Sequence, residues 1–213
     1  HAVTDLRVRQ GGRRRIILRT IGESAFRRTR VRRINPSLKE SGVLRLENGA
    51  FEGCRRLEGE LIIPSSVLSV GEWCFSGCTS ITSVVFEPST TGIYTVVEIH
   101  YGTFQYCPKL LSATLPPTLE RIPVICFGNC TSLIHVPIPP NVIELGELSF
   151  EDCRSLPSMD LPESVDAIQR LAFLNCTALT TVTIRTRSVD LRMGDNVFRG
   201  CTALTTLRTY PWH

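Results

Sequence analysis

Cysteine is the residue type with the most evident potential for chemistry in this chain, since nine of its 213 residues are cysteines. Two pairs, Cys74 with Cys78 and Cys126 with Cys130, are separated by three residues, a spacing that zinc ligands can adopt. The four sulfur atoms of a zinc site all lie about 2.3 Å from the ion. Whether the two pairs can approach each other that closely depends on the element that carries them.

Histidines and catalytic motifs give no comparable signal. The four histidines are His1, His100, His135 and His213, and no two of them have the spacing of metal ligands on one helix. The sequence contains no Gly-x-Ser-x-Gly nucleophile motif, no phosphate-binding loop and no paired carboxylates beyond chance. We therefore predict a non-enzymatic protein that needs no cofactor.

A repeat organises almost the whole chain. Phenylalanines recur at intervals of 25, 24, 29, 23, 23, 23 and 25 residues. This ring column consists of Phe26, Phe51, Phe75, Phe104, Phe127, Phe150, Phe173 and Phe198. Three residues after each ring, the thiol column consists of Cys54, Cys78, Cys107, Cys130, Cys153, Cys176 and Cys201, with Thr29 in the first repeat. A fixed period of 20–50 residues predicts a solenoid, in which each coil buries its apolar side against its neighbours.

The repeat argues against a zinc site. Strands of stacked coils lie about 4.8 Å apart, so pairs separated by two coils lie roughly 10 Å apart. That distance is too long for one tetrahedral ion, and we predict no metal site. Neighbouring thiols in the column are close enough for disulfides, but their parallel Cβ atoms do not point at each other. We therefore expect small, buried, reduced thiols, which favour a reducing compartment.

The fifth coil illustrates the expected structure of one repeat. After Leu133, a short strand would direct Val136 and Ile138 inward and His135 and Pro137 outward, because side chains alternate along a strand. A second short strand follows around residue 145, and residues 147–152 are predicted to form a brief helical turn around the next ring.

The residue before each thiol is predicted to end that turn in a left-handed conformation. It is most often Gly or Asn, which tolerate positive φ. Asn129 and Asn175 in this column also begin Asn-x-Thr sequons, which would be glycosylated only in a secreted chain.

Several segments resemble the BspA-type leucine-rich repeat, whose pattern is Ile-Gly-x-x-Ala-Phe-x-x-Cys-x-x-Leu-x-x-Val-x-Ile-Pro. The segments are IGESAF, AFEGCRRL, CFSGCTSIT and AFLNCTALTTVTI. The resemblance implies a strand-rich α/β leucine-rich-repeat solenoid of about eight coils of 23–29 residues. Short parallel strands would line one face, with short helical turns elsewhere. Its better-known bacterial members are surface adhesion proteins.

Composition and length fit one elongated domain over residues 1–213, with clear repeats over about 16–211. The hydrophobic content of 42% and mean hydropathy of +0.06 are typical of a folded domain. No apolar run approaches the roughly 18 residues of a membrane span. Because the sequence starts at His1 without a methionine, we expect it to be a piece of a longer chain.

Two segments depart from the repeat. An insertion at 88–95 lengthens the third interval and is expected to be a surface loop, neutral or binding. Residues 1–20 match the pattern poorly, and we interpret them as the second half of a truncated coil.

Positive charge is concentrated at the start of the chain. Residues 1–45 have a net charge of +10, whereas the remaining residues have −6. An Arg cluster in this region comprises Arg13, Arg14, Arg15, Arg27, Arg28, Arg30, Arg32 and Arg33. It is interpreted as a solvated edge, as a patch that pairs with an acidic segment outside this piece of the chain, or as a binding site for nucleic acid or another polyanion.

The outward positions of the first strand define a strand-lined face, the second candidate for binding. Its residues are Ser83, Val85, Ser112, Thr114, His135, Pro137, Ser158, Asp160, Thr181, Thr183, Thr206 and Arg208. Solenoids commonly bind through such surfaces, although this one is rich in hydroxyls and poor in aromatic anchors. We predict a protein-interaction or adhesion scaffold that binds a protein, or a surface glycan, through this face. The alternative is polyanion binding by the Arg cluster.

Overall fold

The protein forms a parallel β-solenoid, as the repeat predicts. The structure, a computed structural model, describes residues 3–10, 13–34, 42–88, 97–186, 188 and 190–210, with the backbone alone for 3–10 and 13–18. Apart from Pro88, the insertion expected at 88–95 lies outside the described residues. Eight stacked rings mark the coils, so seven full turns of chain separate the first ring from the last.

The described residues contain fifteen strands. They are β1 Val3–Gln10, β2 Arg13–Ile21, β3 Arg45–Leu46, β4 Glu58–Ile63, β5 Ser69–Val70, β6 Ser80–Phe86, β7 Glu98–Ile99, β8 Ser112–Thr114, β9 Arg121–Ile122, β10 Glu144–Leu145, β11 Ser158–Leu161, β12 Ala167–Ile168, β13 Thr181–Ile184, β14 Arg192–Met193 and β15 Thr206–Thr209.

The longer strand of each coil forms the face that the sequence predicts. β4, β6 and β8 pair in parallel, and so do β11, β13 and β15. In the fifth coil the predicted strand is reduced to a single bridge between Ser112 and His135. The next donor to the ladder would be residue 137, and Pro137 has no N–H.

The shorter strands form a second parallel ladder, five residues before each ring. It joins β2, β3, β5 and β7 in one sheet and β9, β10, β12 and β14 in another. The strand expected around residue 145 is β10, which pairs with β9 and β12. Within each sheet, neighbouring coils are therefore joined by backbone hydrogen bonds on two sides.

The segment around each ring is a stacked turn. Its residues two positions before and two positions after the ring have positive φ in all eight coils, as Leu148 and Asp152 do at 55° around Phe150. Two left-handed residues within five positions are incompatible with a right-handed helix. The brief helical turns expected from the sequence are therefore non-helical turns, and the described residues contain no helix that could span a bilayer.

Backbone bonds between coils hold these turns in place. The N–H groups of Leu148, Phe150 and Asp152 donate to the carbonyls of Arg170, Ala172 and Leu174 in the next coil, at 3.3, 2.8 and 2.8 Å. The intervening residues donate within their own turn, to the carbonyl three residues earlier. The turns thus form a third ladder along the solenoid.

The first strands correct one prediction. β1 and β2 form an antiparallel hairpin from Val3↔Ile21 to Gln10↔Arg13, whereas residues 1–20 were expected to form half of a coil. Only the end of β2 joins the solenoid, where Thr20 and Ile21 pair in parallel with β3.

The ring column forms the centre of the core. Consecutive rings stack with centroids 5.2–5.8 Å apart and interplanar angles of at most 15°. The six rings from Phe51 to Phe173 are buried, and Phe26 and Phe198 are half-buried. The predicted burial is confirmed for the inner coils.

Candidate functional site

The structure aligns the strand-lined face in two columns. Parallel register places Ser158, Thr181 and Thr206 side by side, and Asp160, Thr183 and Arg208 likewise. Ser83 and Val85 pair in the same way with Ser112 and Thr114. None of the twelve predicted residues is buried, while the residues between them, such as Met159 and Val182, are buried in every coil except the last, where Leu207 is 52% exposed. The inward and outward alternation is present in the coils before the last one.

The face extends into the second coil through two residues that the sequence did not reveal. A shift in pairing at Gly59/Glu60 places Glu60 opposite Ser83 and Ile62 opposite Val85. In the later coils, the outward residues lie two and four positions after the apolar residue that begins the strand. The same count in the second coil would select Gly59 and the buried Leu61 instead. Gly59 has a φ of 77°, and this glycine was the signal of an irregularity. Ile62 is 45% exposed, and it adds an apolar side chain to a polar surface.

A second addition lies near the carboxyl ends of the strands. The guanidinium of Arg185 donates from Nε and an Nη to the two carboxylate oxygens of Asp160, at 2.9 and 3.1 Å. The same guanidinium lies 5.3 Å from the centroid of the Tyr210 ring. The hydrogen bonds to Asp160 raise the pKa of Arg185. This cluster gives the face a charged and aromatic group that spans three coils.

The Arg cluster is only partly described. Five of its members have described side chains, and all are exposed: Arg27, Arg28, Arg30, Arg32 and Arg33. Arg27 donates to Glu52 of the next coil at 2.8 Å, so one positive charge of the Arg cluster is compensated. The side chains of Arg13, Arg14 and Arg15, in β2, lie outside the described residues.

The thiol column packs in the core with a specific partner. Each of its seven thiols donates to the carbonyl of the ring residue in the preceding coil, at 2.9–3.3 Å, as Cys153 does to Phe127. Burial raises the pKa of Cys78, Cys107 and Cys153. Neutral thiols are hydrogen-bond donors, whereas zinc ligands and nucleophiles are thiolates. Among the described residues, no group of three or more Cys, His, Asp or Glu residues could hold a metal ion.

Comparison with family models identifies the repeat. The model described as BspA type leucine rich repeat region matches residues 16–96 and 97–211, in six copies. The chain belongs to this family. The resemblance drawn from the sequence motifs is therefore confirmed, and the solenoid described above is a BspA-type leucine-rich repeat domain.

One solved structure supports the fold. A leucine-rich repeat protein of T. pallidum is 30% identical, with a TM-score of 0.66 over 76% of this chain and 72% of that one. A leucine-rich cell surface protein of Faecalibacterium prausnitzii is 15% identical, with a TM-score of 0.46 over 97% and 86%. The pneumococcal vaccine antigen PcpA is 14% identical, with a TM-score of 0.46 over 95% and 70%. The comparison with curated proteins found no match.

Proposed function

We propose that this leucine-rich repeat domain is a non-enzymatic scaffold that binds a protein partner through its strand-lined face. One observation carries the proposal: within each of two sheets, the outward residues of neighbouring strands pair in parallel register, over inward residues that are mostly buried. Such a surface holds side chains at fixed spacing, so a partner can be bound with little ordering cost.

The two additions to the face supply anchoring groups of the kind found at protein interfaces. Tyr and Arg are enriched among residues that dominate binding energy, and here they are represented by Tyr210 and Arg185. Ile62 supplies an exposed apolar group in the second coil. Between them lie hydroxyl side chains that can form a polar contact surface.

Polyanion binding by the Arg cluster is the competing function, and the two make opposite predictions about salt. Binding through phosphate neutralisation would lose affinity with a logarithmic slope of about −0.9 per phosphate contact on duplex DNA. Replacing Arg13, Arg14, Arg15, Arg27 and Arg28 with Gln would flatten that slope. Binding through the strand-lined face would be largely indifferent to salt and to these replacements.

An array of purified proteins and glycans, probed with the fluorescently labelled domain near physiological ionic strength, tests the proposal. We expect protein partners whose binding is lost in the double variant Thr114→Arg, Thr183→Arg, because both side chains lie on the face. Thr177→Arg with Thr202→Arg is the matched control, since both residues are exposed in the turns. Binding that survives the first pair of changes, or an array with no protein partner, would refute the proposal.

A further inference from the structure

Four arginines line a groove of about 840 Å³ on the turn side of the first coils, away from the strands. They are Arg28, Arg30, Arg55 and Arg56. Arg55 and Arg56 lie in the second coil and are not part of the Arg cluster. The solenoid therefore brings together basic residues that are more than 20 positions apart in the sequence.

The floor of the groove is glycine. Gly53 and Gly77 occupy the left-handed position two residues after the ring, with φ of 67° and 69°. A Cβ on Gly77 would lie 3.5 Å from the Cα of Gly53, so the two residues are stacked directly. The equivalent position in the next four coils carries a side chain, as in Asn129 and Asp152. The absence of side chains at these two positions creates the depression.

Two larger side chains limit the groove. Arg28 lies over Gly53, where a Cβ would come within 2.9 Å of the arginine Cγ. Tyr106 occupies the same position of the repeat as Gly53, two coils beyond it. Its side chain is 54% exposed and lines the opposite end of the groove. The groove thus runs along the solenoid from a guanidinium to an aromatic ring.

The positive charge in the groove is not compensated. In the sixth coil, Arg154 stands four residues after the ring and donates to Asp152 at 3.0 Å. Arg55 stands at the same position of the second coil, but the residue corresponding to Asp152 is Gly53. Within the described part of the chain, the four groove arginines have no ion-pair or hydrogen-bond partner for their guanidinium groups. The one carboxylate in the lining, Glu52, already binds Arg27.

The ligand that fits this arrangement is short and carries anionic groups at one end. Beyond the Tyr106 end of the groove, a long polyanion would meet the remaining coils, and residues 46–213 have a net charge of −6. Single-stranded nucleic acid is bound by several stacking rings, and the groove has one. We propose that the groove binds a short sulfated oligosaccharide, with sulfate groups on Arg30, Arg55 and Arg56 and a sugar ring against Tyr106. This site is separate from the strand-lined face and does not rest on its proposed function.

Calorimetric titration near physiological ionic strength tests this site with a heparin-derived tetrasaccharide, its desulfated counterpart and a short oligothymidine. We expect saturable one-to-one binding of the sulfated probe. The double change Arg55→Gln, Arg56→Gln should weaken it on the order of tenfold or more, because guanidinium–oxyanion hydrogen bonds are among the strong ones. Tyr106→Ala should weaken it several-fold. All these side chains are exposed, and circular dichroism confirms that each variant is folded.

Arg154→Gln is the matched control, because it removes an arginine from the same position of the repeat where the charge is already paired. It should leave the affinity unchanged. The proposal is overturned by no binding of the sulfated probe, by equal binding of the desulfated probe, or by equal losses in the Arg154 and Arg55–Arg56 variants. Oligothymidine binding as tight as that of the tetrasaccharide would assign the groove to nucleic acid instead.

Discussion

The position three residues after each ring has a constraint that explains its cysteines. The carbonyl of Phe127 accepts the N–H of Cys130 at 3.1 Å and the thiol of Cys153 from the next coil at 3.3 Å. The site therefore favours a small, apolar residue that can still donate a weak hydrogen bond. Cysteine meets all three requirements. In the first coil, the hydroxyl of Thr29 donates to the carbonyl of Phe26 in its own coil.

The buried thiols should make the stability of the domain fall at alkaline pH. The folded state raises the pKa of thiols such as Cys78 and Cys153, whereas an unfolded cysteine has a pKa of about 8.5. Their contribution is thus fully present below about pH 8.5 and is lost as pH rises towards the folded pKa. Each such thiol should lower the free energy of unfolding by about 1.4 kcal/mol per pH unit. Urea unfolding between about pH 8 and 10.5 measures this slope.

Cys153→Ser provides the control, since a hydroxyl in place of the thiol can still donate to the Phe127 carbonyl but does not ionise in this range. In this variant, the free energy of unfolding should fall less steeply with pH, by the contribution of one thiol. Thiol titration of the native protein should label the half-buried Cys201 first and the eight buried thiols slowly. A pH-independent free energy of unfolding, or rapid labelling of most thiols, would contradict the burial described here.

At the scale of the element, the turn depends on two left-handed residues rather than one. The later position was predicted because Gly or Asn occupies it in most coils, and the structure confirms positive φ there in all eight. The earlier position gave no uniform signal: Trp73, Ile125 and Leu148 occupy it with φ of 50–55°. These residues have no intrinsic preference for that conformation. Hydrogen bonds to the next coil, as from Ile125 to Glu147 at 2.9 Å, stabilise it instead.

The later left-handed position predicts a difference between two substitutions at Asn175, whose φ is 58°. Asn175→Ala should lower the free energy of unfolding by about 1 kcal/mol, because a Cβ without a polar group is disfavoured at positive φ. Asn175→Gly should stay within roughly 0.5 kcal/mol of the parent protein, since relief of that strain offsets the greater entropy of the unfolded chain. Chemical denaturation of bacterially produced, unglycosylated protein measures both values.

Thr177→Ala is the companion control, because it abolishes the sequon but leaves Asn175 and its backbone conformation in place. It should be close to neutral. If Asn175→Ala and Asn175→Gly were equally destabilising, the side chain of Asn175 rather than its φ would determine stability at this position.

At the scale of the whole molecule, stability depends on nearest neighbours along the stack. Phe150 lies between two rings, at 5.5 Å from Phe127 and 5.3 Å from Phe173, and is fully buried. Phe198 is half-buried and stacks on one described ring, Phe173. In a solenoid each coil is stabilised by its own contacts and by those with its neighbours. Removing a ring from the middle should therefore cost more than removing one from the last described coil.

We expect Phe150→Ala to lower the free energy of unfolding by about 3–5 kcal/mol, because it leaves a cavity surrounded by rigid coils. Phe198→Ala should cost less than half as much, since less apolar area is removed from the core and the site is open to water. Denaturant unfolding followed by circular dichroism compares the two. A loss below roughly 0.5 kcal/mol for Phe150→Ala would contradict the ring column as the centre of the core.

The sequence by itself determined the solenoid, its period and the interior of each coil. This was possible because buried residues recur at the same position of successive coils. The burial of Phe150 and Cys153 is predicted by the same pattern that contains Phe127 and Cys130. The alternation at Thr181–Ile184 was predictable for the same reason, since strand geometry directs neighbouring side chains to opposite sides. The twelve residues of the strand-lined face follow from that rule.

Only the tertiary structure decided features that depend on contacts between coils or that interrupt the period. The pairing shift at Gly59/Glu60 brought Ile62 to the surface, and the Asp160–Arg185–Tyr210 cluster required three coils to be aligned. The left-handed φ of Trp73, Ile125 and Leu148 is stabilised by hydrogen bonds that their N–H groups donate to the next coil, and no local preference encodes it. The glycine-floored groove likewise exists only after stacking, because Arg30 and Arg55 are distant in the sequence and become neighbours when their coils pack.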